Sequence, residues 1–358
     1  MRAFNVPSVI ATVAAFVANS HGAPSSGCTP LRHWPKEAAE SLNAMIRANA
    51  HTGAYAVFDM DNTSYRYDLE ESLIPYLEAR GILTRESIDP WLKLIPFKDT
   101  ETHKETLFSY YYRLCDIDDA VCFAWAAQVF SGFTLRTLKG YVDELMAYNG
   151  TIKTTYYDGD DIVDLEVSRP VVFRGQQELF NRLMEHGIQV YIMTAALEEL
   201  VRMVASDPKY GYNVPPENVI GVTMLLANDS SPSTPTSARK QIQDGDYDEQ
   251  ANLDLRLTSY LWAPATWQAG KDAAIMTYID QWRKPVLVGG DSPTNDAHML
   301  FHDVDVAKGG VRVWVDRGEK YLKSINEQIK TNSEAQEKLG LEVTADKNWV
   351  MVKPTDIL

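Results

Sequence analysis

Three short apolar runs along the chain each end abruptly in a polar residue. The runs and the residues that follow them are 54–58 before Asp59, 189–193 before Thr194, and 285–290 before Asp291. Continuous apolar runs of this length are typical of strands buried on both faces of a parallel sheet. Helical patterns over 176–185 and 271–282 lie between them. The alternation of strands and helices predicts an α/β core built on a parallel sheet.

The three polar residues are predicted to share one crevice. In open α/β sheets, ligands bind outside the carboxyl ends of the strands. Asp59, Thr194 and Asp291 each follow a predicted strand, so three separate strands deliver polar groups to the same edge. This convergence predicts a functional site there.

The interval between the first two runs is far longer than a crossover requires. It spans about a hundred residues and contains helical patterns rich in Leu, Tyr and Trp. Those patterns cover 67–80, 104–114 and 123–130. We therefore expect residues 64–168 to form a mostly helical cap over the crevice, and residues 24–63 and 169–358 to form the core.

A second excursion from the core is predicted at residues 207–266. It contains an apolar run at 219–226, followed by a segment rich in Ser, Pro and Thr at 228–237. The composition of that segment predicts a solvated loop.

The charge of the chain narrows its possible partners. The net charge of −15 and pI near 4.9 give a surface that repels nucleic acid and anionic membranes. An anionic small molecule must then be attracted locally, by a metal ion or a few placed cations. The sequence does not indicate an oligomeric state.

The N-terminus has the pattern of a signal peptide over residues 1–23. Arg2 precedes a mostly apolar stretch at 6–17, and small residues at 20–23 offer a cleavage site. This predicts a secreted or periplasmic protein, with an uncleaved N-terminal helix as the alternative. The apolar stretch is too short to span a bilayer, and no other candidate span follows it.

Cysteine usage is compatible with export. Cys115 and Cys122 flank a short polar turn and could be bridged in an oxidising compartment, whereas Cys28 is left over. The sequence leaves the pairing open.

The segment after the first run is suited to phosphoryl transfer. Asp59 is placed as a nucleophile, and Asp61 can reach over the same site to protonate the leaving alkoxide and later deprotonate water. Asp59 and Asp291 together offer the hard oxygen ligands that suit Mg²⁺.

Further residues are predicted to hold the phosphate. Thr194 offers a hydroxyl, and the amides of Ala195 and Ala196 are expected to open the next helix, a favourable place for an anion. Lys271, at the start of a predicted helix, could neutralise the phosphate. Asp296 could hold Lys271 or a metal-bound water.

These segments resemble the four ordered motifs of the haloacid dehalogenase superfamily. The motifs correspond to residues 59–63, Thr194, 270–271 and 290–296, and the resemblance covers nearly the whole mature chain. It implies a Rossmann-like core with an inserted cap. It also implies phosphorylation of Asp59, acid–base catalysis by Asp61, and Mg²⁺ bound by Asp59, the Asp61 backbone carbonyl and Asp291. The carboxylate at Asp61 favours a phosphatase over a dehalogenase.

Two segments carry a closer resemblance. Residues 59–71 and 125–132 are similar to phosphorylcholine phosphatases, exported enzymes that release choline and phosphate. The chain departs from that group at Thr194, where Ser is common, but both residues supply a hydroxyl. The resemblance implies a phosphomonoester of choline as the substrate.

Recognition of a quaternary ammonium group calls for carboxylates and aromatic faces. We assign Glu71 to the ammonium and leave the aromatic residues at 110–112 and Trp125 unassigned. Aromatic residues at helical spacing more often belong to a core. Two alternatives remain open: a broad-specificity acid phosphatase, and a non-catalytic protein that binds choline or phosphate.

Overall fold

The computed structural model describes residues 29–228 and 231–358, with backbone alone at 231–233. Within these ranges the strands are β1 Tyr55–Phe58, β2 Tyr65–Arg66, β3 Thr151–Asp158, β4 Asp161–Ser168, β5 Val171–Val172, β6 Gln189–Leu197, β7 Val219–Val222, β8 Met224–Asn228, β9 Ser231–Thr236, β10 Arg256–Leu261, β11 Leu287–Gly290, β12 Val311–Val315 and β13 Trp349–Val352. The helices are α1 Lys36–Asn49, α2 Leu69–Glu78, α3 Leu107–Cys115, α4 Asp119–Gln128, α5 Leu135–Met146, α6 Arg174–Glu185, α7 Glu198–Ala205, α8 Ala238–Asp244, α9 Glu249–Asn252, α10 Ala269–Tyr278, α11 Ala297–His302 and α12 Glu319–Lys338.

The central sheet contains six parallel strands among the described residues, in the order β13-β12-β11-β1-β6-β7. The three strands predicted from the apolar runs are β1, β6 and β11. They lie side by side in the middle of the sheet. The predicted α/β fold, a Rossmann-like parallel sheet flanked by helices, is confirmed.

The sheet is covered on both faces, which explains why its strands are apolar without alternation. In β1, Ala56 and Phe58 pack into one core, whereas Tyr55 and Val57 pack into the other. The first core includes residues of α1 and α6, and the second includes residues of α10, α11 and α12. Each strand is therefore fixed between two layers of helices.

The order of the strands reverses at β1. From β1 the chain proceeds to β6 and β7 on one side, then returns to β11, β12 and β13 on the other. Such a reversal leaves a crevice at the carboxyl ends of the two strands that flank it. Asp59 and Asp291 directly follow those two strands, β1 and β11.

The segment at 64–168 contains four helices, α2 to α5, and then an antiparallel hairpin of β3 and β4. Helices were predicted for this segment, but the hairpin, whose turn is formed by Gly159 and Asp160, was not. At the base of the segment, β2 pairs with β5. This pairing joins the chain that enters the segment to the chain that leaves it. We therefore keep 64–168 as the bounds of the proposed cap.

The second excursion forms a small antiparallel sheet in the order β10-β8-β9. The apolar run at 219–226 supplies β7 and most of β8. The prediction of a solvated loop over 228–237 is wrong, because 231–236 form the edge strand β9. Two prolines at 232 and 235 are compatible with this position, since an edge strand leaves part of its backbone outside the ladder.

Cys115 and Cys122 form a disulfide that joins the end of α3 to α4. The predicted signal peptide at residues 1–23 and Cys28 lie outside the described residues. Across the described ranges, no helix combines the length and the apolar character needed to cross a membrane.

Candidate active site

Asp59 stands directly after β1 at the crevice. Its backbone N–H donates to the Gly289 carbonyl at 3.0 Å, and the Ser64 hydroxyl donates to the Asp59 carbonyl at 2.6 Å. Its side chain is 10% exposed, and Oδ1 lies 2.8 Å from the Lys271 ammonium. Burial and the nearby charge of Asp296 raise the pKa of Asp59 to about 8. The main chain thus fixes a carboxylate that is partly open to the crevice.

Lys271 is fully buried between two carboxylates. Its ammonium lies 2.8 Å from Asp59 and 2.7 Å from Asp296. Burial alone would lower the pKa of Lys271, but the charges of Asp296 and Asp59 outweigh it and raise the pKa above its ordinary value. Lys271 is the third residue of α10, close to the predicted start of a helix. It is a fixed positive charge beside Asp59.

Asp296 accepts hydrogen bonds from Lys271 and from the loop after β11. Its Oδ1 accepts from Lys271, and its Oδ2 accepts from the backbone N–H groups of Asp291 and Ser292 at 2.9 and 2.8 Å. A Cβ at Gly290 would lie 2.6 Å from the Cβ of Asp296. Glycine at 290 therefore leaves room for this carboxylate.

Asp291 is almost completely buried, and only one of its carboxylate oxygens, Oδ1, accepts a hydrogen bond among the described residues, whereas Oδ2 has a cation beside it. The Thr63 hydroxyl donates to Oδ1 at 2.6 Å, and Nε of Arg317 lies 2.9 Å from Oδ2. Burial raises the pKa of Asp291 to about 7 despite the Arg317 charge. The carboxylates of this region therefore exceed the cations that face them.

The side chains around Asp59 fit a divalent cation. One carboxylate oxygen from each of Asp59, Asp291 and Asp296 lies within 4.8 Å of the others. Both oxygens of Asp296 already accept hydrogen bonds, so Asp59 and Asp291 are the better ligands. An excess of buried carboxylate oxygens is the donor set that Mg²⁺ prefers. The carboxylate of Asp61 does not belong to this group.

Asp61 lines the pocket just before the proposed cap and is hydrogen-bonded to the first cap helix. Its Oδ1 accepts from the backbone N–H of Leu69, the first residue of α2, at 2.8 Å. The next residue, Asn62, has a left-handed φ of 57°, a conformation that Asn tolerates. Burial raises the pKa of Asp61 well above its ordinary value. A protonated carboxyl here is suited to donate to a leaving group.

Thr194 and Ala195 belong to an extended segment, not to the start of a helix. Strand β6 continues to Leu197, and α7 begins at Glu198, so the expected helix opening at Ala195 is wrong. The register between β6 and β7 shifts between residues 193 and 197. The Thr194 hydroxyl accepts from the Ala196 N–H at 3.1 Å, and the Thr194 carbonyl accepts from the Thr266 hydroxyl at 2.6 Å. This irregularity brings Ala195 to the pocket.

A pocket of about 580 Å³ connects these groups with the cap. The predicted residues that line it are Asp59, Asp61, Glu71, Thr194, Ala195 and Asp291. The side chains of Lys271 and Asp296 are buried behind Asp59 and do not line it. Every predicted site residue therefore either lines the pocket or contacts a residue that does.

Glu71 lies on the cap side of the same pocket. The hydroxyls of Tyr111 and Tyr112 face its two carboxylate oxygens at 3.4 and 3.2 Å. Burial and the charge of Asp68 raise the pKa of Glu71 to about 8. Of the unassigned aromatic residues, Tyr111 and Tyr112 line the pocket. Tyr110 and Trp125 are buried in the core.

Two pocket residues, Arg317 and Tyr321, were not predicted from the sequence, and Thr63 was placed within a motif without a role. Arg317 follows β12, the neighbour of β11, and therefore reaches the same edge of the sheet. An apolar run at 311–315 was an available signal, but Arg312 interrupts it. Arg312 is buried and donates to the carbonyls of Leu300, Thr344 and Lys347.

Comparison with solved structures supports the fold. A conserved protein of unknown function from Anaerococcus prevotii superposes with a TM-score of 0.55 at 17% sequence identity. The match covers 86% of this chain and 92% of the other. At this identity the likeness concerns the fold alone.

No protein-family model matches the chain. Among curated proteins, it is 64% identical over 332 residues to the phosphorylcholine phosphatase of Pseudomonas aeruginosa. The match covers 93% of this chain and 94% of the relative. Identity at this level over nearly the full length of both chains shows their common family, and the chain belongs to the phosphorylcholine phosphatases, phosphoric monoester hydrolases of the haloacid dehalogenase superfamily.

Proposed function

We propose that the chain hydrolyses phosphocholine to choline and phosphate, with Mg²⁺ and through an aspartyl-phosphate on Asp59. The observation that carries this proposal is one pocket lined by two different kinds of group. Asp59, backed by Lys271, lines it, and so does Glu71, which is flanked by Tyr111 and Tyr112. A phosphate ester of a quaternary amino alcohol has the matching pair of charges. The Pseudomonas relative is a phosphorylcholine phosphatase, which supports the same substrate.

In the first proposed step, an oxygen of the ionised Asp59 carboxylate, the form that a bound Mg²⁺ would favour, attacks phosphorus, and the bond between phosphorus and the choline oxygen breaks. Asp61 transfers its proton to that oxygen, so choline leaves as the neutral alcohol rather than as an alkoxide. Lys271 stays beside Asp59 and offsets negative charge in the transition state. A bound Mg²⁺, held by Asp59 and Asp291, would supply electrostatic stabilisation of the phosphoryl oxygens.

In the second proposed step, water attacks phosphorus of the aspartyl-phosphate. Asp61, now ionised, accepts a proton from this water, and the Asp59 carboxylate leaves as free phosphate forms. The Thr194 hydroxyl and the Ala195 backbone N–H are proposed to orient the phosphoryl group, since both residues line the pocket. The site returns to its starting protonation state.

The acid–base role of Asp61 predicts a dependence on the leaving group. We expect Asp61→Asn to reduce phosphocholine turnover by about 10²-fold or more. The loss for p-nitrophenyl phosphate should be several-fold smaller, because p-nitrophenolate leaves without a proton. Steady-state kcat for both substrates checks this. Equal losses on the two substrates would argue against Asp61 as the proton donor.

The proposed role of Glu71 predicts a pH-dependent affinity for choline. A cation binds the ionised carboxylate, whereas a pKa of about 8 leaves Glu71 mostly protonated at pH 7. Binding at pH 7 must therefore expel a proton, and we expect choline to bind about tenfold more tightly at pH 9. Glu71→Gln should weaken choline binding at pH 9 by about tenfold and abolish this pH dependence.

Calorimetric titration of choline into each protein at pH 7 and pH 9 measures this effect. Glu144→Gln is a matched control, because Glu144 is an exposed cap glutamate paired with Arg80. A Glu71→Gln protein that binds choline like the wild type would remove Glu71 from the recognition site.

A substrate panel tests the proposed function as a whole. Phosphate release from phosphocholine, phosphoethanolamine and phosphoserine is to be measured with and without Mg²⁺. We expect phosphocholine to be preferred and activity to require the metal. Equal turnover of all three would favour a broad-specificity acid phosphatase. Calorimetric binding with no phosphate release would favour a non-catalytic binding protein.

We also propose export, which the apolar N-terminal stretch supports and the Cys115–Cys122 disulfide favours. N-terminal sequencing of the protein recovered from its source tests for cleavage near residue 23.

A further inference from the structure

Arg317 is a charged residue of the site that the chemistry above does not use. It follows β12 and lines the pocket together with Asp59, Thr194 and Asp291. Its side chain is 28% exposed, in contrast to the fully buried Lys271. It is therefore a cation in contact with the space where substrate binds.

Two contacts hold the guanidinium in place. Its Nε lies 2.9 Å from Oδ2 of Asp291, and its central carbon lies 3.9 Å from the centre of the Tyr321 ring. Tyr321 belongs to α12 and also lines the pocket. Because the guanidinium stacks on the ring and is paired through Nε, its two terminal amino groups are held in one orientation.

The terminal amino groups of Arg317 remain available as donors. Among the described residues, neither terminal nitrogen of Arg317 makes a hydrogen bond, and its ion pair with Asp291 is through Nε. A guanidinium carries five N–H donors, so four are left. By contrast, two of the three donors of Lys271 already face Asp59 and Asp296. Lys271 alone has little capacity left for a phosphate dianion.

We propose that Arg317 is a second phosphate-binding residue, whose terminal amino groups donate to the phosphoryl oxygens of the substrate. This deepens the proposed function and rests on its phosphatase chemistry. A planar fork matches the spacing of two phosphoryl oxygens, which a lysine ammonium does not. The contact also adds positive charge in a pocket where carboxylates predominate.

Calorimetric titration of inorganic phosphate into the Mg²⁺-saturated protein tests the assignment. We expect Arg317→Met to weaken phosphate binding by about tenfold to a hundredfold, as for the loss of a charge-assisted hydrogen-bonded pair. Arg317→Lys should recover only part of the loss. Lys323→Met is the matched control, because Lys323 is an exposed cation of α12 that does not line the pocket, and it should change phosphate affinity by less than about threefold.

Titrations of choline and of Mg²⁺ separate a direct contact from an indirect one. Loss of the Arg317 charge should not weaken the binding of either cation, whereas general damage would weaken all three ligands. Unchanged phosphate affinity in Arg317→Met, full recovery in Arg317→Lys, or a parallel loss of Mg²⁺ affinity would each overturn the assignment. Because the probe is inorganic phosphate, the absence of phosphocholine turnover would defeat the proposed substrate and leave this result standing.

Discussion

Asp59→Asn is expected to reduce Mg²⁺-dependent phosphate release by about 10⁴-fold or more. The amide is isosteric with the carboxylate but is a poor nucleophile, so the covalent step is lost while the pocket keeps its shape. The backbone bonds of residue 59 to Gly289 and Ser64 do not involve the side chain and should persist. Turnover of phosphocholine and p-nitrophenyl phosphate, measured with a sensitive phosphate assay, gives the size of the loss.

A buried carboxyl outside the pocket supplies the control for this variant. Asp303 follows α11, and burial raises its pKa to about 8, like that of Asp59. Asp303→Asn should leave turnover within about threefold of the wild type. Full Mg²⁺-dependent activity of Asp59→Asn, in a preparation free of reversion by deamidation, would show that another group attacks phosphorus.

Lys271→Met is expected to damage both stability and activity. Removal of one partner from a buried ion pair costs about 3–5 kcal/mol of unfolding free energy, because the remaining charges lose their compensation. Here Asp59 and Asp296 would both be left without the ammonium. Turnover should fall by about 10³-fold, since a positive charge beside the reacting phosphoryl group is lost. Urea unfolding and phosphate release measure the two effects.

The stability deficit of Lys271→Met should depend on pH in a defined direction. Without the ammonium, the folded-state pKa of Asp59, which burial already raises, rises further above its unfolded value. At neutral pH the folded variant therefore binds protons that its unfolded chain has released. The loss of unfolding free energy relative to wild type then grows as pH rises. It shrinks as pH falls towards the ordinary pKa of a carboxyl group. We expect a larger difference from wild type at pH 8 than at pH 5.

Removing one of the two carboxylates tests the cause of this deficit. Lys271→Met combined with Asp296→Asn should recover part of the lost free energy, because one fewer charge is left uncompensated. No recovery and no pH dependence would indicate that the lysine side chain stabilises the fold through packing alone.

The sequence predicted those parts of the fold and site that depend on local patterns. Buried parallel strands have continuous apolar runs, so β1, β6 and β11 were recognisable, together with the polar residues after them. From residue type and position, Lys271 was expected near the phosphate, and Asp296 was expected to hold either Lys271 or a metal-bound water. The contact of Lys271 with both Asp59 and Asp296 is now seen at 2.8 and 2.7 Å.

Other features depend on contacts that no local pattern encodes. Strand β9 was predicted as a loop because its composition is typical of turns, yet pairing with β8 makes it extended. The helix expected at Ala195 is displaced to Glu198 by an irregular end of β6. Arg317 was missed because Arg312 interrupts its strand, and the charge of Arg312 is satisfied by three distant carbonyls.

The reversal of strand order at β1 also governs when the protein can become active. The hydroxyl of Thr63 reaches Asp291 across 228 positions of sequence, and the two strands beneath them are direct neighbours. Contacts so far apart in sequence close late, because the loop-closure entropy must be met before they form. A nascent or partly folded chain carries Asp59 but lacks Asp291. Catalytic competence therefore arises only once the C-terminal part of the chain has docked against β1.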